Sequence, residues 1–550
     1  MSRFDYKKYR PFAFAPALPD RTWPDKIIDK APIWVSVDLR DGNQALIDPM
    51  TIEQKLRYFQ LLVDCGFKEI EIGFPAASQI EYDFTRLLIE GGHIPDDVTI
   101  QVLVQAREHL IDRTFESLRG VKRAIVHVYN STSRVQREKV YEKNLADITA
   151  IAVTGATLLQ ERATHYPESE WILEYSPESF SQTEPDFAVA VCEAVCQVWQ
   201  PWAGRKVILN LPHTVEACTP NLYADQIEYF CRHLSCREHV TISVHTHNDR
   251  GCAVAASELA VMAGADRVEG TLLGNGERTG NMDIMIMAMN LYSQGIDPGL
   301  DFGRMNDIVR IVSECNNLPV HPRHPYIGEL VFTAFSGSHQ DAIKKSLEKP
   351  QNGIWDIAYL PIDPLDIGRS YQDVVRINSQ SGKGGVAYIL ARDYGLNVPR
   401  WLQIDFAQKV QTESERTQKE LSSQDIITLF ENSYLHDSPL HLDDYAIRRI
   451  ERQEHSLEAS LTRTDGRGIS LKGHGGGAMS AFIDALQQHS GKTISVANYA
   501  EHAMSKSTDA QAVAYVQLMI DDELRTGIAY SQDTVSAMLR ATLVAAGQIL

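Results

Sequence analysis

The most reactive-looking stretch of the chain is Ser243-Val-His-Thr-His-Asn-Asp-Arg-Gly251, which sets His245 and His247 two residues apart. The run before it, Val240–Val244, is rich in β-branched residues and reads as a strand. On a strand, side chains at i and i+2 share a face. Two imidazoles on one face at a strand end can hold one metal ion. The plainer alternative is that one histidine packs and the other caps the helix that follows. Four further polar clusters bear on the choice: Asp38-Leu-Arg-Asp-Gly-Asn-Gln44, Glu174-Tyr-Ser-Pro-Glu178, Asn210-Leu-Pro-His-Thr214 and Gly274-Asn-Gly-Glu-Arg-Thr-Gly-Asn281. The last has the glycines of a phosphate loop. It lacks the P-loop lysine and does not follow a first strand, so it reads instead as a turn that presents Asn281.

What must position these clusters is an alternation of strands and helices. Strands are expected at Ile33–Asp38, Phe67–Ile72, Val98–Val104, Val121–Tyr129, up to the Tyr175 region, and at Lys206–Leu211, Thr241–His245 and Arg267–Thr271. Helices are expected between and after them, at Thr51–Cys65, Ser78–Glu90, Glu108–Leu118, Arg137–Ala152, Pro185–Trp199, Tyr223–Leu234, Gly251–Met262 and Met282–Tyr292. Eight consecutive units predict an α/β fold, a (β/α)8 TIM barrel; an open doubly wound sheet rarely needs so many. Barrels place chemistry at the C-terminal ends of their strands, and five such ends here carry the polar clusters.

Around this barrel, taken as residues 31–325, three other regions differ in character. Residues 1–30 form an aromatic, proline-rich arm of the kind that packs on a partner subunit. Residues 326–440 read as helical linker subdomains. Residues 441–550 read as a C-terminal α+β domain, with strands at Ser456–Thr462, Ile469–Lys472 and Ala512–Ile520 and helices at Ala478–His489 and Thr534–Gln548. The formal net charge of −19 argues against broad nucleic-acid binding. No apolar run reaches the length of a membrane span, and the first 30 residues carry no secretory h-region. The eight cysteines form no Cys-x-x-Cys pair and read as reduced core residues of a cytoplasmic protein.

The motifs Leu39-Arg-Asp-Gly-Asn-Gln44, His245-Thr-His-Asn-Asp249 and Gly274–Asn281 together resemble the acyl-CoA Claisen-condensing synthases. The resemblance covers nearly the whole chain from about Tyr9, specific in the barrel and looser after Tyr445. The three-part layout is similar to the longer members that join acetyl-CoA to 3-methyl-2-oxobutanoate (α-ketoisovalerate), giving 2-isopropylmalate and free CoA in leucine biosynthesis. The resemblance implies that Asp41, His245, His247 and Asn281 bind a divalent metal, Mg²⁺, Mn²⁺ or Zn²⁺, with K⁺ as an activator. It implies that Arg40 stabilises the ketone oxyanion and that Gln44 and Thr214 contact substrate. His339, in Ser336-Gly-Ser-His-Gln340, is implied as the base that deprotonates the acetyl methyl, assisted by Glu178. It further implies a homodimer inhibited by leucine, with Gly473, Gly475 and Gly477 at the inhibitor site and Tyr371 transmitting inhibition.

Three rivals stand beside this reading. A sister synthase making citramalate or homocitrate would differ only in its ketoacid pocket. A metal hydrolase of the amidohydrolase type would carry His-x-His on its first strand rather than its seventh. A non-catalytic sensor would have lost one or more of the residues just named, and all are present.

Overall fold

Eight parallel strands close into a barrel in chain order. They are β1 (Ile33–Ser36), β2 (Glu69–Gly73), β3 (Thr99–Gln105), β4 (Arg123–Ser131), β5 (Glu170–Glu178), β6 (Val207–His213), β7 (Thr241–Thr246) and β8 (Arg267–Gly270). Closure comes from β1 pairing with β8, Ile33 opposite Arg267 and Ser36 opposite Gly270. The computed structural model describes residues 5–371, 383–417, 421–435, 438–451, 454–504 and 511–547. The chain divides into two units, Met1–Val331 with Leu365–Arg369, and Phe332–Pro364 with Ser370–Leu550.

Helices on the outside of the barrel start where the sequence supplies caps. Thr51 and Gln54 form a reciprocal capping box at Ile52–Asp64, and Ser78 caps Gln79–Glu90. Pro185 and Pro220 occupy the first turns of Pro185–Trp199 and Pro220–His233. One expected helix is displaced: in place of Arg137–Ala152 the chain makes a π turn at Arg137–Tyr141, breaks at Glu142, and forms Leu145–Ala163. Glu142 takes a left-handed φ of 52°, and the capping box of Asn144 with Asp147 restarts the helix just beyond it. β1 is also shorter than expected, because the chain turns into a π segment at Asp38–Gly42.

The end of the arm packs on the barrel. Trp23 is buried and its Nε1 donates to Asp225 Oδ1 at 2.8 Å. The backbone N–H groups of Thr22 and Trp23 donate to the Glu228 carboxylate at 2.9 and 3.2 Å. Both acids sit on Pro220–His233. All eight cysteines are free thiols, and six of them are buried. Among the described residues no helix is long and apolar enough to cross a membrane.

The second unit begins with helices at Gly337–Leu347, Lys383–Tyr394, Arg400–Thr417 and Ser423–Tyr434. It then runs twice through three strands and a helix: β9 (Leu440–Glu451), β10 (Glu454–Arg463), β11 (Gly468–Gly475) and Ala478–Ser490; then β12 (Ile494–Ala503), β13 (Ala512–Ile520), β14 (Glu523–Ser531) and Thr534–Ala546. Both sheets are antiparallel, in the orders β11-β10-β9 and β12-β13-β14. One apolar cluster joins the halves, with Leu457, Phe482, Val516, Leu518 and Leu539 at its centre. β9, β12 and β14 were not expected from the sequence; Gln548, placed in the last helix, lies outside the described residues. In each half the last strand comes too close to its helix for a side chain. A Cβ on Gly473 would lie 2.2 Å from Ala481 O, and one on Gly527 would lie 2.3 Å from Ala541 O.

Candidate functional site

The inward residues of the barrel follow the two-residue period of a strand. Glu69 and Glu71 come from β2, Gln101 and Leu103 from β3, His127 and Tyr129 from β4, and Glu174, Ser176 and Glu178 from β5. Asn210 and Pro212, then Ser243 and His245, then Arg267 and Glu269 continue the pattern round the wall. Below them lies a small apolar layer of Ile125, Ile172 and Ile208. Above them a cavity of about 230 Å³ opens at the C-terminal ends of the strands.

Asp41 reaches this cavity from the π turn, where the N–H groups of Arg40, Asp41 and Gly42 converge on Val37 O at 3.2, 2.9 and 3.1 Å. The turn is tied down by Asp38, whose buried carboxylate accepts from Ser36 Oγ, Tyr58 OH and Leu272 N. Burial pushes the Asp38 carboxyl up to about 7, against the pull of those three donors. Asp41 Oδ2 lies 3.4 Å from His245 Nε2 and 3.7 Å from His247 Nε2, and the two imidazole Nε2 atoms are 3.2 Å apart. Arg40 donates through Nε to Glu71 Oε2 at 2.5 Å and through Nη1 to Asp41 Oδ1 at 2.7 Å. Asn281 bridges to His247 across an isolated antiparallel pair and donates to Asn275 O at 3.0 Å. Gly276 leaves the room Asn281 occupies, since a Cβ there would fall 2.1 Å from Asn281 Nδ2.

The donor set is that of a cation site. Among the described residues, Asp41, His245 and His247 form the group whose ligand atoms all lie within 4.8 Å of one another, and all three are buried. Asp41 Oδ2 and Asn281 Oδ1 are buried oxygens that receive no hydrogen bond. Buried polar atoms left in this way normally have a partner. His245 Nδ1 meets Glu269 Oε2 at 2.9 Å, which turns Nε2 toward Asp41. Burial alone would lower the pKa of His245, but the carboxylates of Asp41 and Glu269 outweigh it and lift it to about 9. Burial and the neighbouring His245 push His247 down to about 3. Burial would raise Asp41, yet Arg40 and the two imidazoles hold it well below the usual carboxylate range. The cluster therefore mixes a carboxylate and two imidazoles, which suits a divalent ion of intermediate hardness.

The other expected barrel residues converge on the same cavity. Gln44, Glu178 and Thr214 line it with Arg40, Asp41, His245 and His247. Thr214 Oγ1 accepts from Ser179 N at 2.9 Å, so its own proton is free to donate. Glu178 Oε2 accepts from Ser131 Oγ. Gln44 Nε2 donates to Glu277 Oε1 at 3.3 Å. The remaining expected residues belong to the second unit. His339 is exposed on Gly337–Leu347, its ring stacked on Tyr359 with centroids 4.0 Å apart. Tyr371 OH donates to Asp363 Oδ1 at 2.9 Å. Gly473 and Gly475 end β11, and Gly477 precedes Ala478–Ser490.

The family description HMGL-like matches residues 31–312, alpha-isopropylmalate synthase, post-catalytic domain-like, matches 329–391, and LeuA allosteric (dimerisation) domain matches 420–550. A 2-isopropylmalate synthase of Alcanivorax borkumensis is 54% identical over 551 residues, covering 99% of this chain and 98% of its own. The chain belongs to the 2-isopropylmalate synthase family. Relatives of the same name from Azotobacter vinelandii and Clostridium acetobutylicum are 52% and 51% identical, over 99% and 96% of this chain and 97% and 96% of their own.

In this member of the family, several site residues lay outside the sequence reading. His127, Tyr129 and Leu103 line the cavity from strands whose ends carried no recognised cluster. His127 Nε2 lies 2.7 Å from Ser176 Oγ, and its Nδ1 lies 3.1 Å from Glu71 Oε1. Arg278 also lines the cavity; it donates to Asp249 Oδ1 at 2.7 Å and to Thr214 O at 2.6 Å, tying three loops together. The available signal was the spacing Glu69-x-Glu71 and Arg267-x-Glu269, charges at alternate positions of otherwise apolar strands.

Proposed function

We propose that the protein condenses acetyl-CoA with 3-methyl-2-oxobutanoate and hydrolyses the thioester, releasing 2-isopropylmalate and CoA. The observation that carries this reading is the buried set Asp41, His245 and His247 beside Arg40, in a chain more than half identical to a 2-isopropylmalate synthase along its whole length. Asp41, His245, His247 and Asn281 are the residues that would hold a divalent ion, Mg²⁺, Mn²⁺ or Zn²⁺. Bound there, the ion would act as a Lewis acid toward the ketone of the ketoacid.

The chain's own groups do the rest. Arg40 has Nε and Nη1 engaged, which leaves Nη2 to donate to the oxygen that becomes negative as the ketone is attacked. Thr214 donates its hydroxyl proton to the ketoacid carboxylate. Gln44 contacts substrate at the rim. A base takes a proton from the acetyl methyl, giving an enolate that forms the new carbon–carbon bond to the ketone carbon. His339 is that base, assisted by Glu178. Water then cleaves the thioester, and the thiol leaves with a proton as free CoA. The protein works as a cytoplasmic homodimer, with K⁺ as activator. Leucine inhibits it by binding near Gly473, Gly475 and Gly477, and Tyr371 takes part in transmitting the effect.

The test is release of free CoA, followed with a thiol reagent, from acetyl-CoA and Mg²⁺ or Mn²⁺ with one ketoacid at a time. Preference for 3-methyl-2-oxobutanoate, with inhibition by leucine, is the expected outcome. Preference for pyruvate or 2-oxoglutarate would keep the condensation and move the chain to a sister activity. No release with any ketoacid, despite bound metal, would overturn the reading.

A further inference from the structure

Beneath the cavity lies a set of buried charges that the reaction above does not use. Arg267 is fully buried and every terminal nitrogen is engaged: Nε with Glu69 at 2.7 Å, Nη1 with Ser243 Oγ and Glu269 Oε1 at 2.8 Å each, Nη2 with Gln101 Oε1 at 2.6 Å and Glu174 Oε2 at 3.2 Å. A guanidinium held on all sides cannot turn. Because it donates only, the atom of Gln101 that faces it must be the oxygen. The orientation of the Gln101 amide is therefore fixed by its neighbour. Its Nε2 is left facing two carboxylates at once, Glu71 Oε1 at 3.1 Å and Glu269 Oε1 at 3.3 Å.

Each of those carboxylates has a second oxygen, and both second oxygens point at working groups. Glu71 Oε2 receives Arg40 Nε at 2.5 Å. Glu269 Oε2 meets His245 Nδ1 at 2.9 Å. In the neutral form that would ligate an ion, a proton on Nδ1 toward Glu269 leaves the lone pair of His245 on Nε2, the atom beside Asp41. We propose that Arg267 and Gln101 are positioning residues that couple the two halves of the site. One fixed amide sets both the imidazole that would ligate the ion and the guanidinium that would meet the substrate oxygen. A network this deep is costly to desolvate, so its retention points to direction rather than stability.

The inference rests on the reading of His245 as a metal ligand, and the experiment separates the two. Mn²⁺ affinity is measured directly on metal-free protein, by calorimetry or from the electron paramagnetic resonance signal of free Mn²⁺. Gln101→Met keeps the volume of the side chain and removes the amide. It is expected to weaken Mn²⁺ about tenfold or more and to lower kcat without raising KM for acetyl-CoA. A merely structural glutamine would lower the melting temperature and leave Mn²⁺ binding to the folded protein as it was. Should Gln101→Met fail to fold, Gln101→Asn keeps an amide one methylene too short to span both carboxylates and carries the same expectation. Mn²⁺ affinity within about twofold of wild type in either folded variant, alongside a large loss in His245→Ala, overturns the coupling. Unchanged affinity in His245→Ala overturns the metal reading itself.

Discussion

The inside of the barrel and the core of the C-terminal domain are equally buried and chemically opposite. Arg267, Glu71, Gln101, Glu174 and Glu269 are all fully buried inside the barrel. Leu457, Phe482, Val516, Leu518 and Leu539 are equally buried in the C-terminal core, where Thr542 is the one buried polar side chain among the described residues. Burial of apolar surface is favourable and has no direction. A buried ion network has direction and a desolvation cost that can exceed its attraction. The contrast suggests a division of labour, with the C-terminal core built to hold its two halves together and the barrel interior built to aim side chains.

The sharpest way to break that contrast is to make the barrel interior apolar. Arg267→Met removes the cation shared by Glu69, Glu174 and Glu269 and is expected to cost about 3–5 kcal/mol, because the acids stay buried without it. Thermal unfolding of purified protein measures it. A variant as stable as wild type that also kept full turnover would show that this interior neither needs nor uses the cation, and the division of labour would fail. Next in size is His245→Ala, which should lower turnover a hundredfold or more, about 3 kcal/mol of barrier, with little change in unfolding. Full activity at limiting metal would remove His245 from the site.

These two residues also mark how far the sequence could be read. His245, His247, Arg40, Asp41 and Thr214 were legible because they stand where strands end, and barrels put chemistry there. Arg267, Glu269, Glu71 and Gln101 were not. In an isolated strand, a charge at alternate positions describes a solvated face as well as a barrel lumen, and only closure of β1 on β8 decides between them. The same ambiguity hid β12, which buries one residue of its ten, and β9, which carries Asp443, Asp444, Arg448 and Arg449 in mid-strand. The displaced helix after β4 had a different cause: Arg137–Tyr141 has helical composition, but its guanidinium is drawn to Thr132 O and Glu184, and the chain turns left-handed at Glu142 before starting again. His339 stood out only through the family motif, since its own surroundings are those of an exposed helix residue stacked on Tyr359.

On the C-terminal side the contrast can be sharpened with two glycines. A Cβ at Gly475 would meet Ser480 Oγ at 2.5 Å and Ala481 N at 2.6 Å, whereas one at Gly477 would meet nothing within 4 Å. Gly475→Asp should therefore shift Ala478–Ser490, cost about 1–3 kcal/mol in that domain, and abolish leucine inhibition while leaving catalysis unchanged. Gly477→Ala should keep the fold. If leucine still inhibits Gly475→Asp as it does wild type, the inhibitor does not bind at this turn. If Gly477→Ala alone loses inhibition at unchanged stability, the turn contributes contacts to the ligand and not only a close approach of strand to helix.

The smallest effect tests what an ion pair is worth once it leaves the barrel interior. Arg137 holds Glu184 through two parallel hydrogen bonds, Nη1 to Oε2 at 2.9 Å and Nη2 to Oε1 at 2.8 Å, in front of Pro185–Trp199. Partial burial would raise the Glu184 carboxyl, but Arg137 outweighs it and holds the group below its ordinary value. A carboxyl lowered in the folded state contributes stability that is present above its unfolded pKa, near 4.3, and is lost as pH falls through the folded value. Because Glu184 is 42% exposed, solvent screening limits the contribution to under about 1 kcal/mol. Glu184→Gln should accordingly lower the melting temperature by a degree or two at pH 7 and converge with wild type as pH falls through the lowered folded value. Melting curves for both proteins across that range decide the matter. Equal slopes would mean that this pair adds nothing to the folded state.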